Sequence, residues 1–333
     1  MKKQLLISYE DIISLDNLLS AWEEFIVGKK SKLDVQKFSF DLMNNILALH
    51  KDLVNNKYSH GGYYAFYITD PKLRHIHKAS VRDRLLHHAI YRQLYPFFAK
   101  TFIADSYSCQ LNKGTHRAIN RFREFSYKVT RNNTRTGWVL QCDIKRFFDS
   151  IDHEILIDIL NEYILDKRIM YLLINIITSF ESSVGKGLPL GNLTSQLFVN
   201  IYMNRFDQFI KHKLKIKYYI RYADDFIFFS QDKQWLLNMV KDIKGFLFNE
   251  LKLTIHPQKF FLQTINSGVD FLGWVHFPDH RVLRNKTKRR MIRKAKNNAK
   301  PESLASYLGL LQHGSCYKIK QKLFDNYWIN FLR

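Results

Sequence analysis

Two apolar, aromatic runs, Tyr218–Tyr222 and Phe226–Ser230, are separated only by Ala223, Asp224 and Asp225. Runs this rich in Tyr, Phe and Ile on either side of a short polar break predict a β-hairpin with two acids at its tip. Turns accept Asp, but turn signals usually include Gly or Asn, and neither is present. Adjacent carboxylates at the tip of a buried hairpin repel each other and cost desolvation unless a cation joins them. A hard divalent ion such as Mg²⁺ meets that need, because it takes carboxylate oxygens and leaves positions for phosphate.

A third carboxylate, Asp143, ends another short apolar pattern, Gly137–Asp143. If the two elements pair, Asp143 and Asp224 meet on one sheet edge. Two metals held this way can activate a 3′-hydroxyl and stabilise a leaving pyrophosphate. The charge balance points the same way. Lys and Arg number 52 against 30 Asp and Glu, a formal net of +22. That excess fits a polyanionic partner, nucleic acid or an acidic membrane surface, better than a small neutral metabolite. The most apolar stretch, Ile169–Thr178, is about half the length a bilayer needs, so no membrane association is expected.

The remaining composition narrows the class further. With 333 residues and 46% hydrophobic content, a sizeable packed core is expected. Cys109, Cys142 and Cys316 are odd in number and far apart, which argues against a disulfide framework or a Cys-based zinc site and suits a reducing cytosol. The opening Met-Lys-Lys meets Glu10 and Asp11 before any uninterrupted apolar run, so no secretory leader is expected. His75, His77, His87 and His88 cluster in sequence, but His87 and His88 point about 100° apart on a helix. Packing or RNA contact is the better reading for them than zinc.

Periodicity predicts two or three amphipathic helices over 10–55, a hairpin feature over Tyr58–Thr69 and a helix over 80–100. A helical stretch is expected over Asp152–Phe180, a loop over 184–191 and a long helix over Asn192–Leu214. Asp232–Leu251 reads as a helix and Phe260–Arg284 as short strands. From Asn285 to Lys300 there are eight Lys or Arg and no acid. That run reads either as a solvated face or as a phosphate-gripping helix, the latter favoured because Tyr307, Tyr317 and Trp328 follow.

Tyr222-Ala223-Asp224-Asp225 resembles the catalytic box of reverse transcriptases. The run from Asp143 to His153, Asp-Ile-Lys-Arg-Phe-Phe-Asp-Ser-Ile-Asp-His, resembles that family's first palm motif, in the form used by bacterial enzymes related to group II introns. The resemblance extends from about Pro71 to the C-terminus. It implies an α+β right-hand polymerase, helix-rich with a central antiparallel palm sheet. Residues 1–135 would form an N-terminal extension and fingers, 136–284 the palm and 285–333 a basic helical thumb. No separate RNase H, maturase or endonuclease domain is expected.

The resemblance also implies roles. Asp143 and Asp224 would bind two Mg²⁺ ions (or Mn²⁺) through their side chains and Ile144 through its carbonyl, with Asp225 supporting the site. Phe148 falls at the steric gate against a ribose 2′-hydroxyl, with Phe147 the core alternative. Arg74 and Arg82 would hold the incoming triphosphate, together with Leu190, Gly191 and Gln196 of the loop that follows. Lys259 sits where the family has a lysine near the pyrophosphate, as a general acid. Tyr107–Gly114 with His116 resembles a template-contacting loop. Phe271-Leu272-Gly273-Trp274 matches the primer-gripping hairpin, and Lys286, Arg289 and Arg290 would contact primer and template.

The loop Gly187-Leu-Pro-Leu-Gly-Asn-Leu-Thr-Ser-Gln196 discriminates within the family. Most reverse transcriptases have Gln before this Gly and Pro after this Ser; Leu190 and Gln196 resemble the enzymes of diversity-generating retroelements. Leu cannot make the polar readout that Gln would make, which should weaken discrimination between right and wrong pairs; the resemblance to those enzymes implies cDNA synthesis error-prone at template adenines for mutagenic retrohoming. The partners implied are an RNA template, a DNA or RNA primer, dNTPs and a small basic accessory protein, in the cytoplasm of a bacterium or from a phage. The alternatives are a retron-type or phage-defence reverse transcriptase, and a catalytically dead basic RNA-binding scaffold.

Overall fold

A computed structural model of the chain describes residues 3–70, 72–296 and 301–331, with side chains described as far as residue 325. Pro71, residues 297–300 of the basic run and the Trp328 side chain lie outside the described residues.

Four helices open the chain: α1 (Tyr9–Ile13), α2 (Leu15–Ile26), α3 (Leu33–Phe40) and α4 (Leu42–Val54). The sequence pattern gives two or three, because Ser14 both closes α1 and caps α2 within one apolar stripe. The antiparallel hairpin β1 (Tyr63–Ile68) and β2 (Arg74–Ala79) follows, then α5 (Val81–Phe98) and α6 (Thr115–Val129). After β3 (Trp138–Ile144), the expected single helix over 152–180 is two, α7 (His153–Asn161) and α8 (Lys167–Thr178). Asp166 restarts it, its carboxylate accepting the N–H groups of Arg168 and Ile169. The next helix, α9 (Leu193–Gln208), ends in a π turn over Phe209–Lys213.

The predicted hairpin is β4 (Tyr219–Tyr222) and β5 (Asp225–Ser230), followed by α10 (Lys233–Leu251). Strand β6 (Ile255–Thr264) is longer than the pattern suggests and carries Pro257; it lies at the edge of its sheet, where a missing N–H breaks no central ladder. Three short strands, β7 (Val269–Phe271), β8 (Trp274–His276) and β9 (Arg281–Leu283), form a separate meander. The chain closes with α11 (Asn285–Lys296), α12 (Pro301–Leu311) and α13 (Tyr317–Phe331).

These elements build two compact units, each assembled from separate stretches of sequence. The first comprises residues 1–104, 144–215 and 243–255. In it α5 packs against α2 and α9, and α7 against α8 and α9. Leu18, Leu49, Leu85, Leu86 and Ile90 are fully enclosed there. The second unit comprises residues 105–143, 216–242 and 256–333. Its core is a four-stranded sheet in the order β4-β5-β3-β6. Helix α6 packs on β4 and β5, with Phe122 and Phe125 against Ile220, Ile227 and Phe229. The architecture is mixed α+β with antiparallel pairing. Among the described residues, no helix is long and apolar enough to cross a membrane.

Candidate active site

Strands β4 and β5 are joined by two residues, Ala223 and Asp224, and Tyr222 pairs with Asp225 across the turn. Ala223 has φ +56°. Positive φ at the first central residue alone is the signature of a type II′ turn, which normally takes Gly there. An L-residue in this region costs roughly 1–2 kcal/mol. The missing turn glycine is therefore a real cost carried by the hairpin that holds the acids.

The register of β3 on β5 places Asp143 directly opposite Asp225. Opposed residues leave a sheet on the same side, with Cβ atoms about 5 Å apart. The sequence argument pairs Asp143 with Asp224; in the structure the cross-strand partner is Asp225, and Asp224 occupies the turn. Burial pushes the Asp225 carboxyl up to about 8, reinforced by the charges of Asp224 and Asp143 and by a hydrogen bond with Asp143, against the opposing pull of Lys259. At neutral pH the Asp225 carboxyl therefore favours its protonated form. Lys259, on β6, donates from Nζ to Asp143 Oδ2 at 2.7 Å.

One ammonium against three clustered carboxylates leaves excess negative charge. Such a cluster is a place where a divalent cation can supply the missing positive charge. All three side chains offer hard oxygen ligands, the donor set Mg²⁺ or Mn²⁺ takes. The residues present therefore fit such an ion. Ile144 ends β3 directly after Asp143 and is buried.

The other predicted residues of the nucleotide site lie in the first unit. Phe148 opens a short 3₁₀ turn and is half-buried, while Phe147 is buried in the core with the two rings edge to face. The carbonyl of Phe148 accepts the N–H of Leu188, which anchors the 187–191 loop to this turn. The loop also docks on β2: His77 donates its N–H to the Leu190 carbonyl at 3.1 Å, and the Asn192 amide donates to the His77 carbonyl at 2.9 Å. Gly191, at φ +113°, lies so close to β2 that a Cβ would stand 3.0 Å from Ile76 Cγ2. Arg74 opens the same strand and is exposed. Phe148, Leu190, Gly191 and the strand of Arg74 thus form one neighbourhood. Gln196 is half-buried in the first turn of α9.

Arg82 lies in the first turn of α5. Its guanidinium donates to Asp52 on α4 at 2.7 Å and lies over the Tyr58 ring. It ties α4 to the first turn of α5. The expected primer hairpin is the turn between β7 and β8. Phe271 and Trp274 are buried in two hydrophobic clusters, so their rings build core. Only the turn between them, Leu272 (φ +51°) and Gly273 (φ +87°), is partly open; consecutive positive φ values make it a type I′ turn.

On α11, Lys286 and Arg289 are exposed and Arg290 is half-buried. Lys286, Arg289, Arg293 and Lys296 fall on one helical face, and Met291 and Ala295 are buried on the other. His116 of the expected template loop stacks on His313 at 3.7 Å. His75 stacks on Tyr67 and meets His77 edge to face, and His87 is wholly enclosed.

The sequence reading passes over Arg221. The signal was available: a lone cation inside the apolar run Tyr-Tyr-Ile-Arg-Tyr.

Comparison with known proteins follows the same lines. Residues 69–276 match the family model described as reverse transcriptase (RNA-dependent DNA polymerase). Protein YkfC of Escherichia coli (strain K12) is 26% identical over 256 residues, covering 65% of each chain. The group II intron-encoded protein LtrA of Lactococcus lactis subsp. cremoris is 25% identical over 328 residues, covering 76% of this chain and 51% of LtrA. The chain therefore spans less than two thirds of the length of these curated relatives. Among solved structures, apo telomerase from Candida tropicalis, truncated from the C-terminal domain, aligns at TM-score 0.48 and 14% identity, covering 67% of this chain and 55% of that one.

Proposed function

The chain belongs to the reverse transcriptase (RNA-dependent DNA polymerase) family, and we propose that it makes DNA on an RNA template at the Asp143, Asp224 and Asp225 cluster. The observation that carries this reading is the opposition of Asp143 and Asp225 across β3 and β5, with Asp224 in the adjoining turn. A scaffold without catalysis has no physical reason to keep three mutually repelling acids together.

Asp143 and Asp224 would hold two Mg²⁺ or Mn²⁺ ions by their side chains, and Ile144 by its carbonyl. When bound, the ions supply activation of the primer 3′-hydroxyl and neutralisation of the departing pyrophosphate. Asp225 would keep the facing Asp143 carboxylate in place. Lys259 stands on Asp143 with an ammonium that can protonate the leaving group. Phe148 supports selection against a 2′-hydroxyl, as the half-buried member of its pair. Arg74 offers charge for the triphosphate beside the Leu190–Gly191 loop. The exposed face of α11 suits the phosphates of primer and template. In this reading residues 1–135 are extension and fingers, 136–284 palm and 285–333 thumb.

Within the family, Leu190 and Gln196 favour the enzymes of diversity-generating retroelements, with errors concentrated at template adenines and a small basic accessory protein as partner. The apolar side chain at 190 supports this, since it cannot make a polar readout. Primer extension on a defined RNA template with Mg²⁺ and four dNTPs, followed by product sequencing, tests both levels. DNA with errors opposite adenine supports the whole reading. Accurate DNA keeps the polymerase and moves the chain to the retron or defence enzymes. Absence of DNA from folded, RNA-bound protein, with candidate accessory protein added, overturns the polymerase.

A further inference from the structure

Arg221 lies on β4, two residues before the turn that carries Asp224, and is fully buried. A guanidinium inside an apolar strand is costly to bury unless it is hydrogen-bonded. Leu or Ile would fill the position without that cost, so packing alone does not account for the charge.

One contact of its guanidinium bears directly on the turn. Arg221 Nη1 donates to the carbonyl oxygen of Ala223 at 3.2 Å. That carbonyl belongs to the planar Ala223–Asp224 peptide, so fixing it fixes the direction in which the chain enters Asp224. Ala223 holds φ +56°, a conformation an L-residue leaves readily unless something retains it.

The backbone of Arg221 is itself braced on the side away from β5. Its N–H donates to the Asp105 carbonyl, and its carbonyl accepts the N–H of Tyr107, both at 3.0 Å. Asp105 in turn accepts from Arg121 Nε of α6 at 2.7 Å. Residues 105–107 therefore run beside β4 as a short parallel rail. The next residue along β4, Tyr222, meets Thr115 at the start of α6, hydroxyl to hydroxyl at 3.1 Å. The turn is thus tied to its own strand by a buried side chain, and that strand is tied to a segment outside the hairpin.

We propose that Arg221 is a positioning residue for the proposed polymerase site: its guanidinium locks the Ala223–Asp224 peptide and so sets the Asp224 carboxylate relative to Asp143 and Asp225. It touches neither substrate nor metal. The inference rests on the metal-binding reading of the three acids, and the test separates the two.

Arg221→Met fills the strand position without charge or donor; Arg221→Lys keeps the charge and loses the fork. In the full chain, Mn²⁺ affinity is read from the electron paramagnetic resonance of free Mn²⁺, and steady-state primer extension gives kcat and KM. Arg221→Met is expected to weaken Mn²⁺ binding at least fivefold and lower kcat at least tenfold. KM for dNTP and RNA affinity should stay within twofold. Arg221→Lys should recover part of both losses. Asp143→Asn is the reference: if it leaves Mn²⁺ binding intact, the metal site itself is wrong. If Asp143→Asn weakens Mn²⁺ while folded Arg221→Met matches the parent, the positioning role alone is overturned. Should Arg221→Met not fold, Arg221→Lys decides, and parent-like Mn²⁺ affinity and kcat in it overturn the role.

Discussion

Lys259 Nζ donates to Asp143 Oδ2 at 2.7 Å, which seats an ammonium from the edge strand β6 on the carboxylate of its neighbour β3. The pair joins the expected general acid to a metal-binding residue before any cation arrives. Lys259→Met leaves Asp143 without that partner in a buried position, and the lysine is itself partly exposed, so the stability loss should be about 1 kcal/mol. Mg²⁺ should restore most of it, because the ion supplies the same kind of charge. DNA synthesis should fall about 100-fold, in the range of general-acid catalysis. Thermal melts with and without Mg²⁺, beside primer extension, check this; a variant that melts and extends like the parent removes Lys259 from the site.

The turn acid gives the opposite pairing of effects. Asp224→Asn removes one of the charges that push the Asp225 carboxyl up. Metal-free protein should therefore melt at the same temperature or a few degrees higher, since active-site charge clusters trade stability for function. DNA synthesis should fall at least 1,000-fold while RNA affinity holds, an order of magnitude typical of removing a group that acts on the transition state. Retained synthesis would sink the metal assignment.

Much of this site is legible in the sequence because it is local. The Asp-Asp hairpin, the strand before Asp143 and the loop at 187–191 each fall within a dozen residues. The α+β architecture follows from the same periodicities. What escapes is long-range. Nothing near Arg82 shows that Asp52, 30 residues earlier, claims its guanidinium. Phe271 and Trp274 read as part of a hairpin motif, but that both rings lie in core depends on the packing of distant helices against them. The register that opposes Asp143 to Asp225 instead of Asp224 is a one-residue matter, set by which residues the turn consumes.

Two buried histidines make stability fall on the acid side. His87 is pushed down to about 3, chiefly by burial and then by His60, His88 and Arg84. His276 is also pushed down to about 3, by burial and then by Arg281. In the unfolded chain both take up protons below about pH 6.5. Their contribution is complete above that pH and is lost progressively as pH falls from 6.5 toward 3. Neither ring nitrogen of His87 has a hydrogen-bond partner, so a similar-sized apolar residue breaks no bond. His87→Leu should thus flatten the decline in melting temperature between pH 7 and 4. A parallel decline in parent and variant would assign it elsewhere.

The basic face of α11 can be read from salt dependence. Lys286, Arg289 and Arg293 share one exposed face and lie in a run with no acid. Each phosphate contact adds about 0.7–0.9 to the slope of log affinity against log salt. Replacing the three residues with Gln should reduce that slope by roughly 2–3 for a primer–template duplex. Unchanged slope would return the helix to the status of a solvated face.

Leu190 carries the finest distinction. Its carbonyl is fixed by the His77 N–H, and Gly191 beside it lies against Ile76, so the backbone of this position is held whatever the side chain. Leu190→Gln should therefore change what the side chain offers without moving the loop. An amide can donate and accept beside a base, where Leu gives only apolar contact. Sites that hydrogen-bond their substrate reject mispaired analogues far better than apolar ones. Misincorporation opposite template adenine should drop about tenfold in Leu190→Gln, with extension rate within a few-fold of the parent. Sequenced products from matched templates provide the measurement. An unchanged error spectrum would detach Leu190 from fidelity, and with it the support that this loop gives to the diversity-generating reading.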